Sequence, residues 1–189
     1  MLTSSSLPSR EQSIAILHEY VQNPSLRRHC YAVAIAMEAY ARKFNENTEL
    51  WWTTGLLHDF DYEKFPTIPE HAVEGVKILA EKGYPDEVIR GILSHADYTG
   101  VPRITPMQKT LFAVDELSGF LVALAKVRQD NFETMTAESV EKGLKKKGFA
   151  AGVNRDDVDK GVESLKIPRD EHFNFLIAAL KEKKSLLGF

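Results

Sequence analysis

Apolar residues along the chain recur with the spacing of helices rather than strands. Ile14, Leu17, His18 and Val21 fall at successive positions of one helical face. Asn23-Pro24 ends this first helix, and Ser25 is placed to cap a second. The stripe of that second helix runs through Leu26, His29, Cys30, Val33, Met37, Tyr40 and Phe44. A third helix is predicted over 48–58. After a loop holding Pro66 and Pro69, Thr67 and Glu70 have capping-box spacing for a fourth helix that reaches Glu81. Gly83 breaks the chain, and Pro85 opens a fifth helix to His95. Gly100, Pro102 and Thr105-Pro106 form a loop and a start signal for a long sixth helix to Val127. Breaks at Gly148, Gly152 and Pro168 divide the remainder into three shorter helices. Strand signals are scarce. The Ser-rich leader is expected to be a loose end. The fold class is therefore all-α, a helical bundle. It comprises a leader and helix over 1–24, a core over 25–127 and a short helical C-terminal extension over 128–189 in the same domain.

Several ionisable residues fall on the apolar side of these helices. His29 lies within the Leu26/Val33/Met37 stripe, His58 shares a face with Trp51 and Thr54, and His71 shares one with Gly75 and Ile78. His95 follows Val88 and Ile92, and Asp115 lies between Leu111 and Val122. A single buried histidine is usually a satisfied core residue. An unpartnered buried carboxylate or imidazole, however, costs several kcal/mol. Five helices each turning such a group inward are more economically explained by shared cations. Imidazole and carboxylate together suit Mn, Fe, Co, Ni or Zn, whereas an all-carboxylate shell would suit Mg or Ca. His58 and Asp59 are adjacent, and neighbours on a helix diverge by about 100°. They converge on one ion if the helix ends there, or they straddle two ions. Phe60-Asp61-Tyr62 and Pro66 fit a helix ending at this point.

At these residues the chain resembles the HD-domain superfamily of metal-dependent phosphohydrolases. The family's pattern is a histidine, a His-Asp doublet and a late aspartate on a long helix. Here it reads as His29 in Arg-Arg-His-Cys-Tyr-Ala, His58-Asp59 in Gly-Leu-Leu-His-Asp-Phe-Asp, and Asp115 in Phe-Ala-Val-Asp-Glu-Leu. Members that hold two metals add two histidines, matched by His71 in Glu-His-Ala-Val-Glu-Gly and His95 in Ile-Leu-Ser-His-Ala-Asp. The resemblance covers 25–127. Phe60-Asp61 replaces the family's more common Ile-Gly after the doublet. The resemblance implies two divalent transition-metal ions, with His29, His58 and Asp115 on one, His71 and His95 on the other, and Asp59 between them. If His71 or His95 does not ligate, the site is mononuclear. It further implies hydrolysis of a phosphoester or phosphoanhydride in a nucleotide or other small phosphorylated metabolite. Two other functions compatible with this fold are a di-iron oxygenase and a non-catalytic, metal-stabilised binding module.

Substrate phosphate needs positive charge beyond the metals. Lys64, just after the doublet, and Arg103, in the loop after His95, are the candidate catalytic side chains beside Asp59. Arg27 and Arg28 are weaker candidates. Asp61 is a candidate for proton transfer, with a surface or capping role as the alternative. His18 reads as a core or surface histidine, His172 as exposed, and Cys30, Met37, Trp51 and Trp52 as core. The lysine runs 142–147 and 181–184 read as solvated faces.

Composition narrows the partners. With 24 basic and 27 acidic side chains, the net charge of -3 lacks the basic excess expected of a nucleic-acid binder. The single cysteine excludes an internal disulfide and a thiolate zinc site. No stretch approaches the roughly 18–20 apolar residues that cross a bilayer, and the start lacks signal-peptide character. A cytoplasmic protein without a membrane or nucleic-acid polymer partner is expected.

Overall fold

The computed structural model describes residues 7–189, so the expectation of a loose Ser-rich leader lies outside the described residues. Among the described residues there are nine α-helices and no strand. The helices are α1 (Arg10–Tyr20), α2 (Pro24–Phe44), α3 (Thr48–Leu57), α4 (Glu70–Glu81) and α5 (Asp86–Leu93). They continue with α6 (Pro106–Lys126), α7 (Ala137–Leu144), α8 (Arg155–Leu165) and α9 (Arg169–Glu182).

Local chemistry sets most of the boundaries. Ser9 and Gln12 form a reciprocal capping box at α1, and Thr105 and Gln108 form another at α6. Each satisfies N–H groups that the first turn leaves open. Asn45 closes α2 in the left-handed conformation, at φ 56°, a conformation Asn tolerates.

Some boundaries differ from the sequence reading. The cap of α2 is Asn23 rather than Ser25, because Pro24, with no N–H to satisfy, takes the first helical position. Asn23 Oδ1 accepts the Ser25 amide at 2.8 Å. Thr67 and Glu70 are bonded side chain to side chain at 2.5 Å, yet no capping box forms. His71 (ψ 142°) and Ala72 (φ 61°) leave helical geometry, so the regular turns of α4 begin only beyond them. Phe44 is 37% exposed and falls off the buried stripe of α2.

α2 separates two hydrophobic clusters. Val33, Met37 and Tyr40 face α6 and the C-terminal helices, meeting Leu117, Phe120, Phe132 and Phe173. Cys30 and Ala34 face the other way, toward Leu17, Leu56, Phe60, Leu79 and Ile92 from α1 and α3–α5. A helix apolar on both sides is buried nearly all round, which explains the breadth of its stripe. It packs against α3, α6 and α9.

The C-terminal helices brace α6. His172 is wholly buried, not exposed as its place near a helix start suggests. Its Nδ1 meets the Tyr40 hydroxyl at 2.6 Å, and its Nε2 meets the Ala113 carbonyl at 3.3 Å. Burial lowers its pKa to about 4, so the ring is neutral at ordinary pH. α8 crosses α6 so closely at Gly161 that an added Cβ would sit 2.7 Å from Ala113 Cα. Because that neighbour is backbone, Gly161→Ala should destabilise the protein by about 1–3 kcal/mol, the usual range for overpacking. Chemical denaturation of the two proteins measures the difference.

Candidate metal centre

Six side chains from five places in the bundle converge. His29 comes from the first half of α2 and Asp115 from the middle of α6. His58 and Asp59 follow the last turn of α3, His71 lies at the distorted start of α4, and His95 follows α5. Termination of α3 at Leu57 is what lets two adjacent residues aim at one centre.

The donor atoms form two groups. His29 Nε2 lies 3.0 Å from Asp115 Oδ1 and 3.1 Å from His58 Nε2, and His58 Nε2 lies 3.3 Å from Asp115 Oδ1. His71 Nε2 and His95 Nε2 lie 3.2 and 3.5 Å from Asp59 Oδ1. The other oxygen of Asp59, Oδ2, lies 3.5 and 3.6 Å from His58 and His29 Nε2. Within His29/His58/Asp115, and within Asp59/His71/His95, all ligand atoms fall inside 4.8 Å of one another. Asp59 thus offers one oxygen to each group.

The chemistry of the donor set fits divalent metal. His58 Nδ1 donates to the Gly55 carbonyl at 2.7 Å, His95 Nδ1 to the Ile92 carbonyl at 2.5 Å, and His71 Nδ1 to Asp61 Oδ1 at 3.0 Å. A neutral imidazole has a single N–H, so these three rings turn Nε2 lone pairs toward the carboxylates. Lone pairs and anionic oxygens in close contact need protons or cations between them. No lysine or arginine is among the residues that line the adjoining cavity. Imidazole with carboxylate matches borderline divalent transition ions.

Without metal, protons fill this role. Burial alone would depress the His58 imidazolium, but Asp59 and Asp115 outweigh it and lift the pKa to about 10. Burial likewise opposes His71, while Asp59 and Asp61 raise it to about 9. Burial would raise both Asp59 and Asp115, but His58 and the other imidazoles around them hold them well below the carboxylate range.

The centre opens into a cavity of about 600 Å³, lined also by Tyr62, Tyr98, Phe112, Asp97, Glu116, Gly152 and Asp157. Burial, followed by the charge of Asp115, raises Glu116 to about 7. The Asn154 amide donates to Glu116 Oε2 at 3.1 Å, tying the segment before α8 to the rim.

The remaining candidates lie elsewhere. Lys64 is exposed and rests its Nζ 3.7 Å from the ring of Tyr20, so the expected reach toward the metals is not made. Arg103 stacks its guanidinium 3.6 Å from the Phe112 ring and bonds Asp97 at 2.5 Å and the His95 carbonyl at 3.3 Å. It braces the His95 loop from behind and does not line the cavity. Arg27 bonds the Val21 carbonyl and Arg28 the Leu187 carbonyl. His18 is exposed and pairs with Tyr31, while Cys30, Met37, Trp51 and Trp52 are core. Asp61 is not a surface residue: it is 1% exposed and bonded to His71. Its sequence signal is a second aspartate two positions after the doublet. The Glu116, Asp97 and Asp157 wall carries no such signal.

A model of the HD domain matches residues 26–119, a span that contains all six ligand candidates. This chain belongs to the HD-domain superfamily. The family is mostly one of metal-dependent phosphohydrolases, and the cluster supplies this HD protein with candidate metal ligands. No curated protein and no solved structure matches the chain. No helix among the described residues of the HD protein is long and apolar enough to cross a membrane.

The raised histidines set opposite pH responses with and without metal. The stability gained from the protonated His58 and His71 pairs is complete below their ordinary value near 6.5 and is lost as pH rises through about 9 to 10. Metal must displace those protons, so its affinity rises over the same interval. Melting curves of chelated and Mn-loaded protein from pH 6 to 10 should therefore diverge, the chelated form falling as the gap widens.

Proposed function

We propose that this HD protein hydrolyses a phosphoester or phosphoanhydride bond of a nucleotide or other small phosphorylated metabolite, using two divalent transition-metal ions. The observation that supports this reading best is the placement of Asp59, with one carboxylate oxygen toward each His group, on the wall of a metabolite-sized cavity. His29, His58 and Asp115 would hold one ion and His71 and His95 the other, with Asp59 facing both.

Ions bound there supply Lewis acidity, lowering the pKa of water and neutralising phosphate oxygens. The chain's own residues provide the setting. Nδ1 hydrogen bonds on His58, His71 and His95 fix ring orientation before substrate arrives. Tyr98 donates its hydroxyl to the His71 carbonyl at 3.2 Å and walls the cavity beside it. Glu116, with a pKa raised to about 7, can accept or return a proton at the cavity rim. With no lysine or arginine among the lining residues, the substrate's phosphate has no cationic side chain to pair with there. Metal is then needed for substrate binding as well as for turnover.

Phosphate release across a panel of nucleotides and sugar phosphates, with Mn or Co, tests the proposal. Turnover is expected on at least one ester, with kcat/KM falling more than about 100-fold in Asp59→Asn, beyond the usual loss from an outer-shell change. Metal-loaded protein inert on every phosphate ester, or consuming oxygen instead, overturns it.

A further inference from the structure

Four imidazoles meet at the centre, and three have their second ring nitrogen tied down, in two different ways. His58 and His95 follow the ends of α3 and α5, where the last turn leaves carbonyls without the amide four residues on that a continuing helix would supply. Each ring takes the carbonyl three residues back, on Gly55 and Ile92. His71 is at the beginning of α4 instead, where no preceding helical turn offers a carbonyl. Its backbone, and that of Ala72, has also left helical geometry, so the ladder of α4 does not hold it.

Asp61 supplies what the helix does not. One carboxylate oxygen takes His71 Nδ1 at 3.0 Å, and the other takes the Gly75 amide at 3.1 Å. The residue is 1% exposed, and its only ion-pair partner among the described residues is His71. A buried carboxylate compensated by one imidazole is costly, unless that imidazole carries positive charge from beyond. Gly75 is part of the arrangement, because a Cβ there would lie 2.6 Å from Asp61 Cγ and expel the carboxylate.

We propose that Asp61, seated against Gly75, is the positioning residue that makes the second metal position. It holds His71 in the Nδ1–H tautomer with Nε2 beside Asp59, and so decides whether the centre takes one ion or two. The inference rests on the two-ion reading above and extends it to a residue outside the ligand set. Asp61 does not touch the first group, His29/His58/Asp115, so its loss should separate the two positions.

Mn binding by calorimetry, with the electron paramagnetic resonance spectrum of the loaded protein, reads this directly. Wild type is expected to take two equivalents and show an exchange-coupled pair. In Asp61→Asn the weaker-binding equivalent should lose about 10- to 100-fold in affinity, the span typical of outer-shell partners. The coupled signal should give way to that of a single ion, with the first equivalent unchanged. Gly75→Ala, which leaves the carboxylate in the chain but removes its seat, should do the same, and it carries the test if Asp61→Asn does not fold. In a His71→Ala background, Asp61→Asn should add less than about two-fold, since both act through one ligand. Two equivalents with unchanged affinity in both variants, or equal weakening of both positions, overturns the role of Asp61 alone. A wild type that takes a single equivalent overturns the two-ion reading itself.

Discussion

A single carboxylate, Asp59, reaches with its two oxygens into two different sets of imidazoles, and much of the bundle is arranged to make that tolerable. Around it lie four Nε2 atoms and a second carboxylate, Asp115. Such a set repels itself unless cations or protons stand between its members. The lining of the adjoining cavity contributes no lysine or arginine. Compensation therefore comes from what the site takes up: protons, or the divalent metal that HD domains bind and that these side chains could hold. The raised His58 and His71 and the depressed Asp59 and Asp115 are the proton-filled form of this arrangement.

The scaffold divides the task by element type. His29 and Asp115 sit within the two longest helices, α2 and α6, which pack on each other. The other four ligand candidates sit at or just beyond helix ends, where the backbone can turn neighbouring residues toward one point. Helix ends also leave backbone carbonyls without their continuing-helix amides, and His58 and His95 use two of them to fix their tautomers. His71, at the opposite kind of end, depends on Asp61 from the preceding turn. The C-terminal helices support the same centre from behind, through Gly161 and His172 against Ala113, two residues before Asp115.

The same charge balance extends into the adjoining cavity. Of the two basic side chains placed near the site by sequence proximity, Lys64 lies on Tyr20 and Arg103 on Phe112. Apart from the ligand candidates and from Ala96 and Gly152, what faces the cavity is aromatic or acidic: Tyr62, Tyr98, Phe112, Asp97, Glu116 and Asp157. Residues from beyond the segment matched by the HD family, Gly152 and Asp157, complete the wall. The shape of this cavity is thus set in part by residues outside the segment that the HD model matches.

Helical periodicity, capping residues and proline positions determined the all-α class and the order of the helices, because these depend on contacts a few residues apart. The ligand candidates were legible for a related reason: His29, His58, His71, His95 and Asp115 fall on apolar faces, which shared cations explain most economically, and Asp59 is marked by its place in the His-Asp doublet. Tertiary structure brings them into the grouping that the family resemblance implied, His29, His58 and Asp115 as one set and His71 and His95 with Asp59 as the other. It also decided that Asp61 and His172 are buried, that His71 sits in distorted backbone, and that Lys64 and Arg103 turn away. These outcomes depend on which surfaces distant helices present to one another, and spacing along a chain carries no record of that.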